Sequence, residues 1–360
     1  MNYVIDKAAP ASAYMQLYTQ LRRDIVVGNP PRGEKLPSKR LLAEELGVSL
    51  ATVEHAYALL ADEGYIESRE RSGYYAAFGG QLRQETPLPA VQAVQSSAAA
   101  PEDFPFSVLA RIMRRVLSDY DRRILVKSPG SGCTELRACL AAYVQRSRGL
   151  TVSPEQIVVG SGAEYLYSLI VQLFGRDTVF ALEDPCYVRI RQVYEANGGI
   201  CAALPMGEDG IVSAALKDCG AGVLHVTPFN SYPSRITASA TKRHEYAAWA
   251  RAHDSFIVED DYDAEFSSVT KHIDTICSLA PERVIYLNTF SRTFAPSMRT
   301  AYMVLPEALL PKYREKLGFY SCTVPVFDQY VLAEFINSGE LERYINRRRR
   351  KLRQQKKEST

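Results

Sequence analysis

Four short motifs between residues 160 and 299 hold residue types that can do chemistry. GSGAEYL places small residues at a predicted helix start, where free backbone N–H groups can hold a phosphate, although many helices begin this way. EDPCYVR brings Tyr187 and Arg189 to a turn, and VEDDYDAEF clusters carboxylates beside Tyr262. NTFSRTFAPSMR carries Arg292, whose guanidinium stays protonated and cannot act as the nucleophile that a lysine amine can become.

The acidic stretch VEDDYDAEF has two interpretations when it is taken by itself. Clustered carboxylates could hold a metal ion, or they could be the hydrated end of a strand, and we favour the hydrated end. The seven cysteines form no C-x-x-C pair and have no histidine cluster beside them. We therefore predict no metal site and no disulfide framework.

The elements that must position these motifs alternate between strands and helices from about residue 104 onward. The runs QIVVGSG, TVFALEDPCY, GVLHVTPF, SFIVEDDYDAEF and RVIYLNTFS predict strands, and AEYLYSLIVQLFG and KRHEYAAWARAHD predict helices. Such alternation predicts an α/β domain with a largely parallel sheet covered on both faces. All four motifs fall at predicted strand ends, and ligand sites of such sheets gather at the carboxyl ends of the strands.

The first 78 residues predict a separate, smaller domain. Ser38 and Ser49 stand as N-caps before two short helical runs, and Gly47 ends the first of them. YIESRERSGYYAAF then predicts two short strands around a charged turn that ends in Gly73. An amphipathic helix that ends at Gly28 precedes them. The pattern is typical of a winged helix-turn-helix.

Composition and the remaining segments limit the class of protein. The chain has 360 residues, of which 46% are hydrophobic, and its net charge is only +2. No apolar run approaches the roughly 18 residues of a membrane span, and the first twenty residues lack the basic start and apolar core of a signal peptide. We expect a cytoplasmic protein without a membrane partner. Residues 79–103 are rich in Gln, Ala, Ser and Pro, so we predict a flexible linker between domains at 1–78 and 104–360.

The N-terminal domain resembles the winged helix-turn-helix of the GntR family. That family's signature, LPS-x-R-x-LA-x-x-LGVS-R-x-TV-x-x-AY-x-x-L-x-x-xG, is matched at nearly every position from Leu36 to Gly64. The resemblance implies binding to operator double-stranded DNA, with the second helix in the major groove. It implies phosphate contacts from Ser38 and Arg40, base-edge contacts from Ser49, Thr52 and His55, and wing contacts from Arg69, Arg71 and Gly73.

One departure from that signature lowers the expected affinity for DNA. The arginine that follows GVS in the family is Leu50 here, and leucine cannot make the bidentate contact with guanine. Residues 1–78 also carry nine Lys and Arg against ten Asp and Glu, a net charge of −1. We therefore expect weak binding that needs a homodimer.

In their order along the chain, the four motifs resemble the large domain of fold type I aminotransferases, in the version fused to a GntR domain, the MocR group of regulators. ELRACLAAYVQRSRG and TPFNSYPS extend the resemblance over nearly the whole chain. It implies a pyridoxal phosphate site, in which the Asp260 carboxylate keeps the ring nitrogen protonated so that the ring can act as an electron sink. It also implies Tyr262 at the phenolic oxygen, Tyr187 against the ring, and Gly162, Ala163, Ser291 and Arg299 around the phosphate.

The departures from the aminotransferase pattern argue against catalysis. The family motif reads T-F-S-K-T-x-A-P, and Arg292 stands at the position of its Schiff-base lysine. Lys271, the nearest upstream lysine, has no feature that places it at the ring. Asn230 stands where the family usually has a histidine, and Arg235 stands where it usually has a glycine. The glycine lacks a side chain and would allow a close approach near the cofactor. We expect pyridoxal phosphate to bind without covalent attachment, or not at all.

The end of the chain departs as well. The resemblance predicts that 104–360 is truncated, without the family's small C-terminal domain, so Arg189 alone would hold the carboxylate of an amino-compound effector. The basic run RRRRKLRQQKKEST could bind an acidic partner, but a solvated helix is favoured. The leading hypothesis is a DNA-binding regulator whose second domain serves dimerisation and ligand sensing without catalysis. A working pyridoxal-phosphate-dependent aminotransferase and a decayed, inactive relative are the alternatives.

Overall fold

The structure is a computed structural model that describes residues 3–6, 11–69, 72–78, 104–262, 264–266, 274–294 and 296–358. The side chains at 264, 292, 296 and 356–358 lie outside the described part. The chain divides into two compact units, an N-terminal unit, Met1–Ser96, and a C-terminal unit, Ser97–Thr360. Within the described ranges, no helix combines the length and the apolar character that crossing a membrane requires.

The N-terminal unit is a winged helix-turn-helix, as the sequence predicts. Its elements are α1 (Ala13–Val27), α2 (Lys39–Leu46), α3 (Leu50–Asp62), β1 (Ile66–Arg69) and β2 (Gly73–Ala76). The hydroxyl oxygens of Ser38 and Ser49 accept hydrogen bonds from backbone N–H groups in the first turns of α2 and α3, which confirms both N-caps. β1 and β2 pair antiparallel and form the wing.

The core of the N-terminal unit lies between α1 and α3. The inward-facing side chains of α3 are buried, namely Val53, Ala56, Tyr57 and Leu60. They pack against Leu17, Leu21 and Ile25 of α1. In α2, which has eight residues, Leu42 points inward and is buried while Leu41 stays exposed.

The C-terminal unit is an α/β domain. Its strands are β3 (Ile157–Gly160), β4 (Val179–Asp184), β5 (Ile200–Pro205), β6 (Val223–Val226), β7 (Phe256–Asp260), β8 (Val284–Thr289) and β9 (Ala301–Val304). Its helices are α4 (Phe106–Tyr120), α5 (Thr134–Arg148), α6 (Ala163–Phe174), α7 (Val188–Ala196), α8 (Ser213–Lys217), α9 (Ala240–Ala252), α10 (Ile276–Leu279), α11 (Phe290–Thr293), α12 (Leu310–Leu317), α13 (Val326–Asn337) and α14 (Glu340–Glu358). Short 3-10 helices cover Asp121–Leu125, Pro154–Gln156, Ala264–Phe266, Pro296–Met298 and Glu307–Leu309.

The seven strands form one sheet in the order β3-β9-β8-β7-β6-β4-β5. Strands β8, β7, β6, β4 and β5 pair in parallel, and β9 runs antiparallel to both of its neighbours. Both faces of the sheet are covered, since Ile157 and Val159 pack in one apolar cluster and Val158 packs in the other. The mostly parallel sheet predicted from the alternating runs is confirmed.

The basic tail is only partly solvated. The first turns of α14 bury Leu341, Tyr344 and Ile345, and farther along Arg349 donates a hydrogen bond from Nε to the backbone oxygen of Glu265. The guanidinium of Arg348 lies over the Phe266 ring, 5.6 Å from its centroid. The favoured interpretation of a solvated helix therefore holds for one face of α14 and not for the face that packs on the unit.

Candidate functional site

The strand register brings the predicted phosphate residues to one edge of the sheet. Gly160 at the end of β3 and Thr289 at the end of β8 both pair with Ala301, the first residue of β9. Because β9 runs opposite to its neighbours, the segment that leads into it, with Arg299, lies at the same edge. Ser291, two residues beyond β8, lies there as well. Three segments that are distant in the sequence thus meet at the carboxyl ends of the strands.

These segments form a small cradle at the start of α6, around the residues predicted to hold a phosphate. Gly162 precedes the helix with a φ of 102°, and a Cβ built there would lie 2.6 Å from Nη2 of Arg299. A glycine is required because any side chain would be strained and would meet the arginine. Ala163 is the first residue of α6, where backbone N–H groups are free of helix partners. The Ser291 hydroxyl is buried and makes no hydrogen bond with any described residue.

A glutamate that the sequence interpretation did not single out lies in this cradle. The Nη2 of Arg299 donates to Oε2 of Glu164 at 2.6 Å, and Nη1 of Arg189 is 3.5 Å from Oε1 of the same carboxylate. The predicted phosphate arginine and the predicted carboxylate arginine therefore share one internal anion. The signal was present in GSGAEYL, in which Glu164 occupies the first turn of the helix that opens the cradle.

Asp260, at the end of β7, lies in a buried polar group beneath this edge. Tyr167 donates its hydroxyl hydrogen to Oδ2 of Asp260, and Nε2 of His225 is 3.7 Å from the same oxygen. A hydrogen bond of 2.7 Å joins Nδ1 of His225 to the Tyr194 hydroxyl. Among the described residues, Oδ1 of Asp260 is buried without a hydrogen-bond partner. An unsatisfied buried carboxylate oxygen fits the protonated ring nitrogen of a pyridine cofactor.

The interpretation of the acidic stretch as a hydrated strand end is wrong. Glu259, Asp260 and Asp261 are all buried. Glu259 accepts two backbone N–H groups at the start of α10, at 2.9 and 2.8 Å, and burial raises its pKa to about 8. Asp261 accepts from Nε of Arg148 at 2.6 Å and from the Tyr286 hydroxyl at 2.5 Å. The fold hides these carboxylates because each has donors supplied by other elements.

The predicted ring neighbours are more exposed. Tyr187 is 38% exposed, and its ring stands edge-on to the Tyr232 ring with 6.0 Å between centroids. The Tyr262 hydroxyl donates to the backbone oxygen of Asn230 at 3.2 Å. Asn230 and Arg235 adopt φ values of 54° and 57°, in the left-handed region. A glycine at 235 is thus favoured by backbone conformation, a reason different from the close approach that the sequence suggested.

Glu183 is a second carboxylate that sequence reasoning missed. It is buried near the end of β4 and accepts from the backbone N–H of Thr227 at 3.2 Å and from the Ser231 hydroxyl at 2.6 Å. Burial raises the pKa of this carboxyl to about 7. Glu183 thereby holds the segment after β6, which carries Asn230, against β4. A charged residue inside an otherwise buried strand was the available signal.

The remaining predicted residues divide between described and undescribed parts. Position 292 falls within α11, but its side chain and the whole of Lys271 lie outside the described residues. No group of three or more His, Cys, Asp or Glu side chains in the described ranges is placed to hold a metal ion.

In the N-terminal unit, the predicted DNA contacts that the structure describes are exposed or half-exposed and lie in or beside α2, α3 and the wing. Arg40 and His55 are exposed, and the His55 ring stands edge-on to Tyr14 at 5.7 Å. The hydroxyls of Ser49 and Thr52 are 2.8 Å apart and hydrogen-bonded to each other. Because the hydroxyl oxygens of Ser38 and Ser49 already cap helices, direct contacts from these two to DNA would compete with the caps.

One described arginine of the wing and one glutamate of α3 are paired within the N-terminal unit. Arg69 donates to Glu67 at 2.6 Å and lies over the Tyr75 ring at 4.3 Å, whereas Arg71 lies outside the described residues. Gly73 has a φ of 113°, which only glycine adopts readily at this turn. On the exposed face of α3, Glu54 forms an ion pair with Lys39 of α2 at 3.0 Å. The sequence did not indicate this pairing.

Comparison with family models divides the chain in the same way. Residues 13–75 match the model of bacterial regulatory proteins of the gntR family. Residues 103–360 match the model of aminotransferase class I and II.

Several curated proteins are similar over nearly the whole chain. The uncharacterized HTH-type transcriptional regulator YdeL of Bacillus subtilis is 35% identical, over 94% of this chain and 76% of that protein. The HTH-type pyridoxine biosynthesis transcriptional regulator PdxR of Corynebacterium glutamicum is 31% identical, over 95% and 76%. The probable rhizopine catabolism regulatory protein MocR of Rhizobium meliloti is 28% identical, over 96% and 76%.

Solved structures show the fold of the C-terminal unit. An archaeal alanine:glyoxylate aminotransferase superposes with a TM-score of 0.62 at 25% identity, over 69% of this chain and 64% of that enzyme. The alpha-aminoadipate aminotransferase LysN of Thermus thermophilus, solved with N-(5'-phosphopyridoxyl)-L-leucine, gives a TM-score of 0.62 at 26% identity, over 70% and 66%. The chain thus spans about two thirds of each enzyme's length. Together with the matched relatives, these findings show that the chain belongs to the MocR-type regulators of the GntR family, DNA-binding transcriptional regulators with an aminotransferase-like domain.

Proposed function

We propose that this regulator binds operator DNA as a homodimer in the cytoplasm and uses its aminotransferase-like unit as a non-catalytic sensor of pyridoxal phosphate or of an amino compound. The observation that carries the proposal is the arginine at position 292, where the resemblance calls for the covalent lysine. A protonated, delocalised guanidinium does not attack an aldehyde. With arginine at position 292, the site can therefore bind such a ligand only without covalent attachment.

The residues around the sheet edge support a pocket for the cofactor. Asp260 offers a buried oxygen without a partner among the described residues, which suits a ring N–H. Gly162 and Arg299 form a cradle that a Cβ would fill, and arginine suits a phosphate. When bound, pyridoxal phosphate supplies a ring that can accept electrons, but this chain's residues then only bind and orient it. The name of PdxR and the ligand of LysN support the same class of ligand.

The test is a visible absorbance titration of the purified protein with pyridoxal phosphate, followed by borohydride reduction and intact-mass measurement. The parent protein and Arg292→Lys are compared side by side. We expect saturable binding without added mass in the parent, and added mass at position 292 in the lysine variant. A reducible adduct in the parent that maps to a pocket lysine would contradict the proposal and favour a working aminotransferase, which amino-donor-dependent turnover would then establish.

The DNA-binding face is tested through phosphate contacts. Arg40 is exposed, so Arg40→Ala should weaken binding to DNA from the protein's own locus and reduce the slope of log K against log salt by about 1. Arg23→Ala removes the same charge from an exposed position of α1 and serves as the matched control. Equal losses in both variants would mean that Arg40 contributes only its general charge, and no binding of the parent at low salt would remove the operator assignment.

A further inference from the structure

The Glu164 carboxylate is paired with Arg299, the arginine that the sequence predicts for a ligand phosphate. Its Oε2 accepts the hydrogen bond from Arg299, and its Oε1 faces Arg189. One carboxylate thus engages both arginines at this edge of the sheet. The contact with Arg299 is short and charge-assisted, the strong kind of hydrogen bond.

The negative charge of the Glu164 carboxylate strengthens its contact with Arg299. Partial burial acts to raise the pKa of its carboxyl, but the hydrogen bond and the charge of Arg299 outweigh burial, and the net pKa is below its ordinary value. Arg189 adds to the same effect. Position in the first turn of α6 also favours a negative charge, because the helix dipole is positive there. The carboxylate therefore remains ionised at the pH at which a phosphate would bind.

The close approach of Gly162 leaves Arg299 little freedom to serve two anions. A Cβ at residue 162 would lie 2.6 Å from Nη2 of Arg299 and 3.4 Å from Oε2 of Glu164, so both groups already line the face of the loop that an incoming phosphate must contact. A phosphate bound at Arg299 would lie close to the Glu164 carboxylate, and the two negative charges would repel each other.

We propose that the Glu164 carboxylate is a built-in competitor for the anion site formed by Arg299 and the start of α6, which a phosphate-bearing ligand must displace in order to bind. This inference rests on the proposed use of the edge as a cofactor site. Glu164 sets the ligand concentration at which the sensor responds, because the apparent dissociation constant equals the intrinsic one divided by the fraction of molecules in which Arg299 is free.

The expected effect is moderate because the pair is partly exposed. Side-chain exposure is 52% for Arg299 and 31% for Glu164, so solvent screens the interaction. Removing the competing charge should tighten phosphate binding on the order of tenfold, from release of Arg299 and loss of repulsion together.

The experiment measures the dissociation constant of pyridoxamine 5'-phosphate, which has no aldehyde and so cannot label surface lysines, by equilibrium dialysis. The full chain is compared with Glu164→Gln, with Glu164→Ala in case the amide variant misfolds, and with the control Glu195→Gln, which removes an exposed carboxylate from α7. A double variant, Glu164→Gln with Arg299→Ala, tests whether the gain depends on the arginine. Inorganic phosphate serves as a second probe, through the midpoint of thermal unfolding followed at Trp249.

About tenfold tighter binding in both Glu164 variants, with no change in the control and loss of the gain in the double variant, is the expected result. Equal binding by the parent and the Glu164 variants overturns this inference and leaves the proposed cofactor site intact. Binding by neither overturns the inference and the cofactor site together. A gain that survives Arg299→Ala also overturns it, since the competition would then not be for this arginine.

Discussion

Glu183 offers the sharpest test of the energetics of the C-terminal unit. Its carboxyl is 3% exposed, and its pKa is raised from an ordinary value of 4.5 to about 7, chiefly by burial, against the hydrogen bonds from Ser231 and Thr227. The folded unit therefore holds a proton on Glu183 more tightly than the unfolded chain does. The stabilisation is fully present below pH 4.5 and is lost as the pH rises through about 7.

The perturbation is Glu183→Gln, which keeps the shape and offers an amide oxygen to Thr227 and an amide N–H to Ser231. The pKa difference of about 2.5 corresponds to about 3 kcal/mol over the full range, of which about 2.5 kcal/mol falls between pH 5 and pH 8. Relative to the parent, the variant's free energy of unfolding should therefore rise by about 2.5 kcal/mol from pH 5 to pH 8.

Urea unfolding at several pH values measures this difference. Trp249 is the single tryptophan of the chain and lies buried in α9, so its fluorescence reports on the C-terminal unit alone. Glu208→Gln, which removes a carboxylate from an exposed position, is the matched control. A difference for Glu183→Gln that stays constant within about 0.5 kcal/mol would refute the reasoning, because Glu183 would then be ionised in the folded unit.

Three further substitutions test backbone conformation and capping. Arg235→Gly should stabilise the C-terminal unit by about 0.5–1 kcal/mol, because it removes the cost of a left-handed arginine, whereas Arg235→Ala keeps that cost; urea unfolding that shows equal stability for both would count against this account. Gly162→Ala should destabilise the same unit by about 2 kcal/mol, because φ is 102° at this position. Gly220→Ala is the control, since a Cβ at residue 220 would meet open space, and it should cause no such loss of stability. Similar losses of stability in the two variants would contradict the strain argument. Ser49→Ala should lower the protection of α3 amides by about 1 kcal/mol in hydrogen exchange, and Ser49→Asp should restore it; unchanged protection in the alanine variant would show that the cap contributes little.

The order of elements and the family were predictable because they depend on local patterns. Ser38 and Ser49 predict helix starts because their side chains form short-range capping hydrogen bonds. The apolar runs predict buried strands because they are short. The same local character made the N-terminal motif specific, since caps, turn and wing all lie within one stretch of chain. The lysine replacement at Arg292 is likewise a fact of the sequence.

Contacts between distant residues were not predictable. By itself, VEDDYDAEF was interpreted as a hydrated strand end, yet Arg148 and Tyr286 approach Asp261 from α5 and β8 and allow it to be buried. The partners of Asp260, which are Tyr167 and His225, come from α6 and β6, and no spacing in the sequence connects them.

The sequence by itself determined which elements form, which family the chain joins and which covalent chemistry residue 292 cannot perform, because helix caps, hydrophobic period and residue type act locally. Only the tertiary structure decided which charged side chains pair with each other and which are buried. The sheet register placed Glu164 against Arg299, 135 positions apart in the chain, and burial gave Glu183 its raised pKa. Electrostatic interactions depend on distance and solvent exposure, and folding sets both.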